Sequence, residues 1–177
     1  MRLLALDPGR QVGFAVFDDD VFVLCGVWGF LPAIPSSSAC RFLAEEVVAL
    51  RPNRLVVEVP QVYERRKSRG DPNDLLGLVA MAGAAAAVMP AGTARFVLPH
   101  DWKGSVPKVP GRRWAEYIIH RRILKSLDVE EACAYMGKVE SLPCGVRHNA
   151  VDATGLAMWT ENRLTGEAQN NGNRRKL

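Results

Sequence analysis

Four residues of this chain carry groups able to hold a hard divalent cation: Asp7, Glu58, His148 and Asp152. Asp7 ends the apolar run LLALD (3–7), and Glu58 interrupts the apolar run RLVVEV (54–59). Asp152 lies within NAVDATGLAMW, surrounded by Ala150, Val151, Ala153 and Leu156. Runs of this kind are normally buried, and an isolated buried carboxylate costs several kcal/mol or takes up a proton. Paired with a metal it stays ionised. Oxygen ligands with no cysteine among them suit Mg²⁺ or Mn²⁺ rather than zinc. His148 stands four residues before Asp152, on the same face of a helix. Each residue also has an ordinary reading. Asp-Pro-Gly is a common turn, Glu58 before Pro60 would serve as an edge-strand charge, and a histidine at a helix start often makes a local hydrogen bond.

The elements that must position these groups can be read from the hydrophobic pattern. LLALD, GFAVF (13–17) and VFVLCGVWGF (21–30) are separated by Asp-Pro-Gly and by Asp18-Asp19-Asp20, which reads as an antiparallel meander. Ser36, Ser37 and Ser38 are candidate helix caps ahead of Ala39, Leu43, Val47 and Leu50 at helical spacing, and Pro52 ends that run. RLVVEV is a fourth strand. Asp71-Pro72 has the cap and first-turn chemistry of a helix running to about Met89. ARFVL (94–98) is a fifth strand, followed by a Pro/Gly/Lys loop (99–111) and a helix near 112–126. Asp128 with Glu131 has capping-box spacing for another helix. The last helix is expected over about 149–164, closed by Gly166, with a basic disordered tail over 167–177. The string βββαβαβααα predicts one α/β domain (1–166), a mixed five-stranded sheet flanked by helices.

Composition narrows the classes. The 177 residues are 48% hydrophobic and 24% charged, enough for one domain with a core. No apolar run reaches the ~18–20 residues of a membrane span, and the first residues lack a secretory cleavage pattern. Cys25, Cys40, Cys133 and Cys144 form no metal-binding or disulfide pattern and read as reduced thiols of a cytoplasmic protein. The net charge of +4 leans towards an anionic partner.

LLALDPGRQVGFAVF, then LVVEVPQVY, then HNAVDATGLAMW resembles, in this order across nearly the whole chain, the RuvC-type Holliday junction resolvases. The look is nearest to their divergent phage or prophage branch. The resemblance implies an RNase H-like fold, with Asp7 matching the family's first catalytic aspartate, Glu58 its glutamate and Asp152 its last aspartate. Two positions depart from the pattern. Three residues before Asp152 stands Asn149, where the family has Asp or His, and His148 is one residue out of register. Either Asn149 is a neutral, weak ligand or His148 reaches the metal; we favour His148. Val59-Pro60 also separates Glu58 from Gln61-Val62-Tyr63, and Tyr63 resembles the family's junction-probing aromatic.

The activity implied by the resemblance is phosphodiester hydrolysis, leaving a 5′-phosphate and a 3′-hydroxyl in a bacterial or phage-infected cell. Two divalent ions, Mg²⁺ with Mn²⁺ as a substitute, can stabilise both the attacking and the leaving oxygen of an in-line displacement. On this reading Asp7 bridges both ions, and Glu58, His148 and Asp152 complete the shells. Two basic regions follow the acidic motifs. The first is Arg65, Arg66, Lys67 and Arg69; the second is Lys103, Lys108, Arg112 and Arg113, continuing to Arg121, Arg122 and Lys125. Lys103 and Lys108 resemble the family's active-site lysines, with Lys108 expected to assist the transition state. Tyr63 and Trp102 are aromatics among basic residues, able to stack on a base or simply to anchor a loop; for Trp102 the anchor is preferred.

Branched DNA with four arms needs two symmetric nicks, and the resemblance favours a homodimer. The helix over 74–89 offers Gly77, Ala80, Gly83, Ala84 and Ala87 for close approach. Other readings are a nuclease cutting forks and flaps more broadly and an inactive junction-binding module, which Asn149 would explain. An ATP-binding relative of the same superfold would also place Asp-x-Gly after its first strand, but the chain is too short for two lobes. If four lysines and arginines touch phosphates, log affinity for DNA should fall with log salt at a slope of roughly −3.6. A flat salt titration would remove the basic surface from the argument.

Overall fold

The computed structural model describes residues 1–30, 37–61, 73–104 and 117–164. Its elements run β1 (Arg2–Asp7), β2 (Gln11–Asp18), β3 (Val21–Phe30), α1 (Ser37–Leu50), β4 (Arg54–Glu58), α2 (Asn73–Ala87), β5 (Ala94–Val97), α3 (Pro99–Trp102), α4 (Ile118–Ser126), α5 (Val129–Ser141) and α6 (Arg147–Thr160). The strands form one sheet of order β3-β2-β1-β4-β5. β1, β2 and β3 are antiparallel, while β4 lies parallel to β1 and β5 parallel to β4. This is the mixed five-stranded sheet flanked by helices that the sequence predicts.

The β2–β3 hairpin turns on Asp19 and Asp20, both in the left-handed region (φ 47° and 68°), where aspartate is tolerated better than most residues. Alternation along the strands splits the core in two. Leu4, Leu6, Val12, Val16, Leu55 and Val57 face α1 and α2. Leu3, Ala5, Ala15, Phe17 and Val56 face α4, α5 and α6. On α1, Ala39, Leu43 and Val47 recur every four residues and supply the buried stripe.

Helix α6 is apolar nearly all round, with every residue from Ala150 to Met158 buried. It packs across β1, β2 and β3, with α4 and α5 against it. The close approach depends on Gly13 in β2. A Cβ there would lie 2.1 Å from the carbonyl oxygen of Asn149. Asn149 also donates from Nδ2 to the Gln11 carbonyl at 3.3 Å, so helix and strand are tied by backbone contact and side chain together.

The structure departs from the sequence reading in four places. The helix read near 112–126 starts at Ile118, and Tyr117 before it is extended (φ −63°, ψ 126°). α6 begins at Arg147, two residues early, which puts His148 in its first turn. The stretch read as a loop after β5 contains the single turn α3. Pro99 opens it, the Asp101 carboxylate accepts from the Leu98 N–H at 3.2 Å, and Gly104 just beyond has φ +60°. The Asp128 cap is half of the expected box. Its carboxylate accepts from the Glu131 N–H at 2.8 Å, but the Glu131 side chain turns away. Glu131 accepts instead from the Phe22 N–H at 2.7 Å and from Arg163, also at 2.7 Å, because an open β3 amide offers a buried carboxylate more than the helix end does. The caps at Asp71 and Pro72, the stop at Gly166 and the tail 167–177 lie outside the described residues.

Replacing Gly13 by alanine should force α6 away from the sheet and cost about 1–3 kcal/mol of stability. The measurement is a urea midpoint at unchanged slope; an unaltered midpoint would mean that the crossing is not tight.

Candidate active site

Asp7 and Glu58 end neighbouring parallel strands. The pairing Ala5↔Val56, Leu6↔Val57 brings Asp7 level with Glu58 one residue further on. Alternation turns both towards the α6 side, since Asp7 follows Leu3 and Ala5, and Glu58 follows Val56. Asp152 arrives from α6, one turn after His148. All four side chains line one solvent-open cavity of about 410 Å³, with Pro8, Gly9, Arg10, Gln11, Pro60, Leu78, Lys103 and Asn149 around them. The crossing of α6 at Gly13 therefore sets the distance between the helix and the two strand ends.

Glu58 and Asp152 are buried, 8% and 3% exposed. Each of their oxygens accepts a hydrogen bond. Trp102 Nε1 donates to Glu58 Oε2 at 2.6 Å, and Tyr117 OH donates to Asp152 Oδ1 at 2.6 Å. Lys103 Nζ donates to Glu58 Oε1 at 3.0 Å and to Asp152 Oδ2 at 3.2 Å, bridging the two carboxylates. The ammonium also stands 5.0 Å from the centroid of the Trp102 ring.

The electrostatics follow from this packing. Burial pushes the Glu58 carboxyl above its usual range, the ammonium of Lys103 opposes that shift, and the charge of Asp152 adds to it. For Lys103 burial works against the charge, but the pull of Asp152, Asp7 and Glu58 together outweighs it and the ammonium is held more firmly protonated than usual. The Tyr117 hydroxyl is pushed far up by burial and by the neighbouring Asp152 charge, so it acts as a donor only.

The structure thus brings Asp7, Glu58, His148 and Asp152 around one cavity and puts Lys103 at its centre. His148 is exposed at the rim, whereas Asn149 has its amide engaged by Gln11. Trp102 is 3% exposed and anchors its loop through Glu58. Arg10 and Tyr117 are not singled out by the sequence; Tyr117 falls within the helix read near 112–126, where nothing marks it. Among the described residues no three of His, Cys, Asp and Glu stand close enough to enclose an ion. The donor chemistry nevertheless fits a hard divalent cation, with three carboxylates and an imidazole on one cavity wall. Tyr63, Arg65, Arg66, Lys67, Arg69, Lys108, Arg112 and Arg113 lie outside the described residues.

No protein-family model matches the chain, and no curated protein matches it. Among solved structures, it is similar to Thermus thermophilus RuvC in complex with a Holliday junction substrate. There the identity is 14%, the coverage 89% of this chain and 90% of that one, and the TM-score 0.49. A second Thermus thermophilus RuvC structure shows 16% identity, coverage of 92% and 98%, and a TM-score of 0.48.

Tyr117→Phe removes the donor to Asp152 Oδ1 and leaves a buried carboxylate oxygen without it. The expected cost is about 1–3 kcal/mol, read by chemical denaturation. A neutral result would mean that another donor reaches Asp152.

Proposed function

We propose that the protein is a metal-dependent, structure-selective DNA endonuclease that resolves four-way junctions. The observation that carries this reading is the convergence of Asp7, Glu58 and Asp152, with Lys103, on one solvent-open cavity. Burying carboxylates side by side destabilises a fold unless something uses them. Divalent ions held by Asp7, Glu58, Asp152 and His148 would supply charge neutralisation at the phosphate and an activated water.

The chain's own residues have distinct tasks on this reading. Trp102 and Tyr117 fix the buried oxygens of Glu58 and Asp152, so that the remaining oxygens keep their direction. His148 at the cavity rim completes the acidic set in preference to Asn149, whose amide already serves the Gln11 carbonyl. Arg10, exposed at the mouth, is placed to meet a phosphate beside the one being cut. Lys108 is assigned to the phosphate being cut, as an aid to the transition state, and the basic residues at 65–69 and 112–113 to the DNA arms.

The acting species is a homodimer, because two symmetric nicks require two sites. On α2 the small residues divide: Gly77 turns inward, while Ala80, Gly83 and Ala87 are exposed beside the apolar Leu76 and Val79. That exposed stripe is the face we assign to the partner subunit.

The test is cleavage of a labelled immobile four-way junction beside duplex, fork and flap controls, in Mg²⁺ and in Mn²⁺. Paired symmetric nicks on the junction alone are expected, abolished by Asp7→Asn with junction binding retained. Cutting of every branched substrate would transfer the site to a broader nuclease. Tight binding without cutting, in any metal, would leave a junction-binding module.

A further inference from the structure

The acidic centre already contains a cation, and its placement has a consequence for any ion that enters. Glu58 and Asp152 each give one oxygen to a buried, neutral donor, Trp102 Nε1 and Tyr117 OH. Both donors belong to rings packed in the core, at 3% and 5% exposure. A Cβ at Gly155 would come within 2.9 Å of the Trp102 ring, so that ring has no freedom to withdraw towards α6. The other oxygen of each carboxylate goes to the same atom, Lys103 Nζ, which also stands 3.0 Å from Glu58 Oε2. These two oxygens are the pair that a divalent cation binding Glu58 and Asp152 together would need. An ammonium and a divalent ion cannot share them, because two cations at ~3 Å repel strongly wherever water is largely excluded.

Resting on the proposed function, we infer that Lys103 is an internal counter-cation that exchanges with the metal ion, bridging Glu58 and Asp152 in the ion-free site and leaving both when an ion binds. The released side chain has somewhere to go. It hangs on a flexible four-carbon stem, and the open cavity of about 410 Å³ lies on its free side. Swinging there needs no movement of Trp102 or Tyr117, which keep the two carboxylates oriented during the exchange. In the cavity the ammonium meets the position that a DNA phosphate would take. One lysine then has two successive roles: it compensates the buried carboxylates before loading and positions the phosphate afterwards.

The experiment follows the Lys103 ammonium directly by ¹⁵N NMR of the wild-type protein with labelled lysine side chains. A buried, bridged ammonium gives a slowly exchanging Nζ resonance, assigned by its loss in Lys103→Arg. Mg²⁺ titration, with binding monitored in parallel by calorimetry, should abolish this resonance in step with occupancy. Lys103→Met should bind Mn²⁺ more tightly by about tenfold or more, since it offers no competing charge. Should Mg²⁺ bind the wild type while the Lys103 resonance persists unchanged, the exchange is overturned and the proposed function stands. Absence of divalent-ion binding in both wild type and Lys103→Met would remove the metal-dependent reading, and the exchange with it.

Discussion

Two carboxylates buried side by side repel each other, and this end of the molecule is organised around that repulsion. Glu58 and Asp152 come from different elements, a strand end and a helix, yet they share the Lys103 ammonium. Burial pushes the Glu58 carboxyl above its usual range, and the ammonium of Lys103 opposes that shift. The neutral donors Trp102 and Tyr117 add a hydrogen bond each, so that all four oxygens are satisfied and no described buried side-chain polar atom is left without a partner. The short turn α3 exists to present two consecutive residues, Trp102 and Lys103, to one glutamate. Helix α6 must sit close enough for Asp152 to reach the same lysine, which makes Gly13, the ladder partner of Asp7, part of the site.

Much of this frame is legible in the sequence, for identifiable reasons. Asp7 and Glu58 stand out because each is a charge at the end of an apolar run, and a strand of five or six residues leaves little doubt about which end it occupies. The sense of the strands follows from connection lengths: tight turns force antiparallel neighbours, and helical crossovers suit parallel ones. Asp152 stands out because its helix has no polar face to receive it.

What could not be read is contact between distant segments. Lys103 is marked only by the family resemblance, as one of two lysines, and nothing local says that it points inward. Its direction is decided by three carboxylates that meet only in the folded chain. Tyr117 gives no pattern at all, since a lone aromatic within a helical stretch is compatible with many surroundings. The capping box at Asp128 failed for a similar reason. Glu131 is within reach of both its own helix terminus and the β3 edge, and only the tertiary structure makes the Phe22 amide the better partner. His148 against Asn149 turned on where α6 starts, and helix starts are the least certain feature of any hydrophobic pattern.

The position of α6 in the chain has a further consequence, for the order of events during synthesis. Helix α6, which packs across β1, β2 and β3, is the final described element, so these strands leave the ribosome long before it does. Until then Leu3, Ala5, Ala15 and Phe17 face water or a chaperone, and Asp7 and Glu58 have no Asp152 beside them. A nascent chain therefore carries an exposed apolar sheet but no complete acidic cluster. The same stroke that buries the sheet assembles the cluster, so a chain that stops short of α6 has Asp7 and Glu58 without Asp152.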